Sequence, residues 1–149
     1  MTRIIKLILI GFSLILTRCT VNDDTFEVGQ IWHYDTRQGE ENSTLTIVSM
    51  ENNKDYGLII GVYVDNLNIP LNGISGGNTV INFMPFNKKA LKESVTRIQG
   101  HTDELPDYKQ HYKAWKKEFD NKNCKIFLSP VKVMLDSTQM NLEKMINNK

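Results

Sequence analysis

Apolar and polar residues alternate along the first half of the chain, from about residue 26 to residue 65. The apolar positions carry β-branched and aromatic side chains at every second residue, which is typical of strands with one buried face. Segments rich in Gly, Asn and Asp separate these stretches and predict turns. The pattern predicts strands over residues 30–36, 43–50 and 56–65, with a fourth candidate at 79–83. Consecutive strands with short connections indicate an antiparallel meander.

The second half of the chain changes to helical spacing. Asn87 is a suitable N-cap for a first helix that ends at Gly100. One face of this helix would carry Leu91, Ser94, Val95 and Ile98. Pro106 opens a second helix. Its aromatic stripe is most simply core and consists of Tyr108, Tyr112, Trp115 and Phe119.

A third helix starts at Ser129 and Pro130 and runs to about Asn147, after a short strand candidate at 126–128. Its apolar side comprises Val131, Met134, Leu135, Thr138, Leu142 and Met145. Strands followed by helices predict an α+β fold. We expect a small antiparallel sheet, an N-terminal meander of three to four strands, with about three C-terminal helices packed on one face.

The N-terminal segment has the pattern of a secretory signal peptide, predicted over residues 1–18. Arg3 and Lys6 precede an apolar run at 7–16, which is shorter than the roughly 20 residues that span a bilayer. Residues 19–25 are a polar tether, and 26–149 form a single globular domain of ordinary size.

The end of this signal resembles the lipobox of bacterial lipoproteins. Leu16 and Cys19 match the pattern, whereas Arg18 stands where a small residue is usual. The resemblance implies acylation of Cys19 and a lipid anchor in the cell envelope. Because Thr20, not Asp, follows the cysteine, it favours the periplasmic face of the outer membrane. An ordinary signal cut elsewhere, giving a soluble periplasmic protein, and an uncut helix that anchors loosely remain as alternatives.

Charge and composition exclude several classes of function. Residues 1–18 remove three of the 18 Lys and Arg and none of the 17 Asp and Glu, so the mature chain has a net charge of −2. This balance argues against a nucleic-acid partner. The sequence gives no metal-binding motif and no cofactor signature. Cys124 would be a lone buried thiol, or a reactive one if Lys122 and Lys125 lower its pKa.

The segment from Gly29 to Ile47 resembles a family of small uncharacterised bacterial proteins that share a Gly-Gln-x-Trp-x-Tyr-x-x-Arg-x-Gly-Glu-Glu-x-Ser-Thr-Leu motif. The resemblance implies a real domain family and brings no activity with it. If the family has a site, this motif is the place to look, because its charged residues exceed what a hairpin turn requires. The candidate recognition loop consists of Trp32, Tyr34, Arg37, Glu40 and Glu41.

Two classes of function follow from these observations. The first is a non-catalytic module that binds an envelope protein or another envelope component, for example as an immunity-like inhibitor of a toxin. The second is a small periplasmic hydrolase that uses His33 or Ser75 with Glu40 or Glu41. Ser75 lies in a Gly-x-Ser-x-Gly sequence that lacks the strand and helix of a nucleophile elbow. We favour the first class and predict no catalytic residue.

Lipidation is the prediction to test first. Metabolic palmitate labelling with membrane fractionation would compare the wild type with Cys19→Ser. We expect label and membrane association in the wild type and neither in the variant, because Cys19 is the acylated residue. An unlabelled wild type would make Cys19 incidental and reopen a Cys19–Cys124 disulfide.

Overall fold

The computed structural model describes residues 26–69 and 79–147, and the side chains among them up to residue 145. The predicted signal peptide (1–18), the tether (19–25) and Ser75 lie outside the described residues. Predictions that rest on them therefore stay predictions.

Four strands follow one another as an antiparallel meander, as the alternating pattern predicts. They are β1 (Gln30–Tyr34), β2 (Leu45–Asn53), β3 (Gly57–Leu67) and β4 (Thr79–Asn87). A fifth strand, β5 (Val95–His101), pairs antiparallel with β1 and gives the sheet order β4-β3-β2-β1-β5. The described residues also form three helices: α1 (Lys88–Ser94), α2 (Lys109–Asp120) and α3 (Val131–Asn147). The α+β fold is confirmed.

The prediction of a first helix to Gly100 is wrong, because α1 ends at Ser94. Val95 has extended backbone angles, φ −77° and ψ 146°, and the chain continues directly into β5. This segment carries three β-branched side chains, which favour a strand over a helix: Val95, Thr96 and Ile98. β5 pairs with the otherwise unpaired edge of β1 and becomes the edge strand itself. Ile98, which helical spacing would bury, is therefore 50% exposed.

Side chains replace missing backbone partners at the beginning of α1 and at the beginning of α3. Asn87 caps α1 as predicted, since its Oδ1 accepts from the backbone N–H of Ala90 at 2.8 Å. Ser94 joins two helices: its hydroxyl donates to the Ala90 carbonyl at 2.7 Å and accepts from the Val131 N–H at 2.9 Å. The end of α1 is therefore tied to the beginning of α3.

The main core lies between one face of the sheet and the helices α1 and α3. Inward-facing residues of all five strands and both helices contribute to it; the fully buried ones include Leu45, Ile47, Ile60, Val62, Phe86, Leu91, Val131 and Leu135. The expectation of helices packed on one face holds for α1 and α3. Met145, predicted on the apolar side of α3, is 67% exposed.

The helix α2 packs on the opposite face. Ile60 and Val62 point into the main core, so Gly61 between them faces the other way. A Cβ at Gly61 would overlap the ring of Phe83 and the hydroxyl of Ser49. Phe83 in turn contacts the aromatic rings of α2. Glycine is needed at this point because the Phe83 ring lies directly on the backbone.

The segment after α2 is less regular than predicted. Only Phe127 of residues 126–128 pairs with the sheet, as an isolated parallel bridge to Phe86. Its N–H donates to the Pro85 carbonyl at 2.8 Å, and its carbonyl accepts from the Asn87 N–H at 3.1 Å. Part of the β4 edge is thus covered. No helix within the described residues is long and apolar enough to cross a membrane.

Gly61 and Gly100 give a matched test of this packing. We expect Gly61→Ala to lower the free energy of unfolding by about 1–3 kcal/mol, because the added methyl group overpacks against Phe83. Gly100→Ala should be neutral or slightly stabilising, since open space surrounds its Cβ position. Urea denaturation of both variants would check this. Equal midpoints for the two would contradict the close approach at Gly61.

Candidate functional site

The charged residues of the motif are joined to each other in the turn between β1 and β2. Gly39, at φ +82°, allows the turn that brings Glu40 back to Arg37. The guanidinium forks onto the carboxylate: Nε donates to Oε2 at 2.8 Å, and the second bond joins Nη2 to Oε1. Glu40 is only 2% exposed. We call this pair the Arg37–Glu40 staple.

The staple also holds two distant parts of the fold. Arg37 donates through Nη1 to Gln139 Oε1 of α3 at 2.7 Å, and Asp136 of the same helix lies 3.6 Å away. Glu40 Oε1 accepts from the backbone N–H of Asn68 after β3 at 2.7 Å. The hydrogen bonds to Glu40 raise the pKa of Arg37. One buried ion pair therefore connects the β1–β2 turn, the end of β3 and α3.

Tyr34 begins a second buried chain of hydrogen bonds. Its hydroxyl lies 2.7 Å from the Ser43 hydroxyl, which donates to the Asp65 carbonyl at 2.5 Å. Because the single Ser43 proton goes to Asp65, Tyr34 must be the donor in the first bond. Burial raises the pKa of Tyr34 to about 12, which keeps this donor protonated.

The remaining motif residues complete the same structural unit. Trp32 is 3% exposed, and its indole N–H donates to Gln30 Oε1 at 3.0 Å. Glu41 lies in solvent, where its carboxylate accepts from the Gly39 N–H at 2.8 Å, a bond that lowers the pKa of Glu41. Of the five predicted recognition residues, a partner can reach Glu41 and one edge of Arg37 without opening the fold.

The described residues of the hydrolase hypothesis do not converge. His33 alternates with Trp32 and Tyr34 along β1, so it lies on the sheet face opposite the core. Glu40 is engaged by Arg37 and Asn68. Ser75 lies outside the described residues, so its role stays a prediction. Among residues 26–69 and 79–147, no three His, Cys, Asp or Glu side chains are grouped to hold a metal ion.

A second candidate site lies beside α2, where the sequence did not predict one. A groove of about 510 Å³ runs between this helix, β4 and the segment 124–127. We call it the α2 groove. Its lining is mostly apolar and comprises Phe83, Pro85, His111, Ala114, Trp115, Cys124, Lys125, Ile126 and Phe127.

The aromatic stripe of α2 forms one wall of this region. No residue of α2 is buried, and the four aromatic side chains expected in the core are half-buried. Trp115 stacks on Phe119 with ring centroids 4.8 Å apart and lies 5.3 Å from Phe83. The Trp115 Nε1–H is buried and has no hydrogen-bond acceptor among the described residues. Buried indole N–H groups ordinarily have a partner.

Cys124 lines the groove and is half-buried. Its Sγ is 3.7 Å from the Trp115 carbonyl oxygen. Burial, together with the charge of Glu118, raises the pKa of the thiol. The alternative in which Lys122 and Lys125 lower that pKa is therefore wrong, because desolvation of the thiolate raises it. Cys124 contributes an apolar surface to the groove and no activated nucleophile.

The staple and its neighbour Glu41 provide a matched stability test. We expect Arg37→Ala to lower the free energy of unfolding by about 3 kcal/mol, because it leaves the buried Glu40 carboxylate unpaired. Glu41→Ala should change it by less than about 0.5 kcal/mol, since Glu41 is exposed. Urea denaturation would measure both. A similar loss in the two variants would show that the staple is no more important than a surface charge.

Comparisons with known proteins give no relative for this chain. No protein-family model and no curated protein matches its sequence, and no solved structure matches its fold. The resemblance of the Gly29–Ile47 segment to small bacterial proteins stays a prediction.

Proposed function

We propose that this chain is an exported, lipid-anchored envelope protein that acts as a non-catalytic binding module through the α2 groove. The single observation that carries the proposal is the groove itself, a recess of about 510 Å³ with aromatic and aliphatic walls. Small-molecule sites in proteins span roughly 300–1,000 Å³ and have a mainly apolar lining with a few polar groups. The α2 groove has this size and this composition.

The packing of α2 supports a role in binding. Its aromatic side chains are half-exposed, although the spacing Tyr108, Tyr112, Trp115 and Phe119 would suit a fully buried helix face. Aromatic groups that are partly buried and partly open are enriched at binding surfaces. The buried N–H of Trp115, a residue of the groove wall, has no acceptor among the described residues, which is unusual for an indole in a purely structural position.

The contacts of the motif residues favour a structural role for the β1–β2 turn. The Arg37–Glu40 staple uses both carboxylate oxygens of Glu40 and three nitrogens of Arg37 in contacts within the fold. Those groups have little capacity left for a substrate. This distribution favours α2 over the β1–β2 turn as the binding surface.

The location rests on the N-terminal sequence. Acylation of Cys19 would hold the domain to the envelope through a tether of seven residues, which reaches at most roughly 25 Å. A component of that envelope is then the ligand most available to the α2 groove. Envelope proteins, including a toxin that the chain would inhibit, belong to the same proposal.

Site-specific photocrosslinking in cells tests the proposal with the full chain. A photoreactive amino acid would replace His111, which lines the α2 groove, or Lys113, which is exposed on α2 outside it. We expect a reproducible crosslinked adduct from position 111. The same adduct should be missing when the photoreactive residue is at position 113. Mass spectrometry of the crosslinked peptides would identify the molecule that is bound at position 111.

The same experiment in a Cys19→Ser background tests the anchor. Loss of the position 111 adduct in that background would link binding to the envelope location. The binding proposal fails if position 111 gives no adduct, or if positions 111 and 113 give the same adducts. The location fails if the adduct and the cell fraction are unchanged by Cys19→Ser.

A further inference from the structure

The charged groups at the α2 groove have one sign. Lys125 carries a positive charge, and His111 offers a ring N–H, whereas none of the groove-lining residues is Asp or Glu. Glu118, which contributes after burial to the raised pKa of Cys124, accepts a hydrogen bond from Asn123 Nδ2 at 2.9 Å. Glu118 does not line the groove. The groove therefore presents an apolar surface with one cation, Lys125, on its rim. Lys125 also lines an adjoining recess that contains Asp55 and Asp120.

The side chain of Lys125 has no ion-pair partner among the described residues, in contrast to two other lysines of the fold. Lys116 pairs with Asp120 at 2.6 Å, and Lys132 lies 3.4 Å from Asp35. Within the described part of the chain, the side chains of Lys125 and His111 make no ion pair and no hydrogen bond. Both are free to bind an anion at the groove.

We propose that the α2 groove binds a long-chain carboxylate, an inference that rests on the binding function proposed above. The hydrocarbon chain would lie against Phe83, Trp115 and Ile126, and the carboxylate would meet Lys125 and His111. Apolar walls select the chain because its transfer from water is favourable. The ammonium group and the imidazole N–H select the carboxylate because charge-assisted hydrogen bonds are stronger than neutral ones.

The head group decides between this proposal and a general apolar groove. A groove that recognises only hydrocarbon would bind a chain of given length equally well with a negative, neutral or positive head group. The rim formed by Lys125 should instead favour the anion and disfavour the cation. The order of affinities therefore tests the assignment of Lys125, and binding itself tests the groove.

The experiment uses the full chain with Cys19→Ser, so that no acyl chain competes for the groove. Dodecanoate, dodecan-1-ol and dodecylammonium would be titrated below their micellar concentrations and followed by tryptophan fluorescence. The signal reports Trp115, because Trp32 is buried in the main core. We expect dodecanoate to bind about tenfold more tightly than dodecylammonium.

Two charge-reversal variants provide the matched pair. Lys125→Glu should invert the preference, so that dodecylammonium binds more tightly than dodecanoate. Lys113→Glu changes the charge of the protein equally but lies outside the groove, and it should leave the preference unchanged. Ala114→Trp, which fills the groove, should weaken all three ligands at least tenfold.

The outcomes separate this inference from the proposed function. Equal affinities for the three head groups, or the same effect of Lys125→Glu and Lys113→Glu, would overturn the carboxylate assignment and leave an apolar binding groove. Absence of binding by all three would overturn it as well, while a crosslink at position 111 would still support binding of another envelope component. Absence of both would reject the groove as a binding surface.

Discussion

The fold depends on the neutralisation of one buried carboxylate. Glu40 lies in a tight turn but points inward, where an unpaired charge would be costly. Arg37 supplies the countercharge from three residues earlier, and the Asn68 N–H supplies a further donor. Arg37, which neutralises the Glu40 carboxylate, also binds Gln139. The same guanidinium therefore holds α3 against the β1–β2 turn. The ion pair thus specifies how the C-terminal helix meets the N-terminal meander.

Much of the fold is predictable from the sequence because its signals are local. The alternation over β1, β2 and β3 survives because each strand has one face in the core, and Asn87 caps α1 through its own side chain. The end of α1 is not predictable from helical spacing. Val95 and Ile98 fit a helix face equally well, and the decision between helix and strand depends on β1, more than 60 residues away, which offers an unpaired edge to β5.

The candidate sites are also only partly predictable from the sequence, because their geometry depends on distant residues. The sequence shows an unusual number of charged residues in one turn, namely Arg37, Glu40 and Glu41. It does not show which of the two carboxylates faces inward, because that depends on Gly39 and on the distant α3. Helical spacing identifies the aromatic stripe of α2 but does not predict that its side chains are only half-buried. Periodicity identifies which residues share a helix face, whereas the depth of that face depends on Gly61 and Phe83 beneath it.

The pairing of β1 with β5 also determines the order in which the sheet can assemble. Five of the seven β5 residues are exposed, so its association rests mainly on backbone hydrogen bonds to β1 and on Val95. The loop closed by this pairing is long, and its entropy favours prior formation of the meander. β5 should be the last strand to join and the first to detach. A transient opening there would expose the backbone of β1 to pairing with another chain, a route to aggregation that the central strands β2 and β3 do not offer.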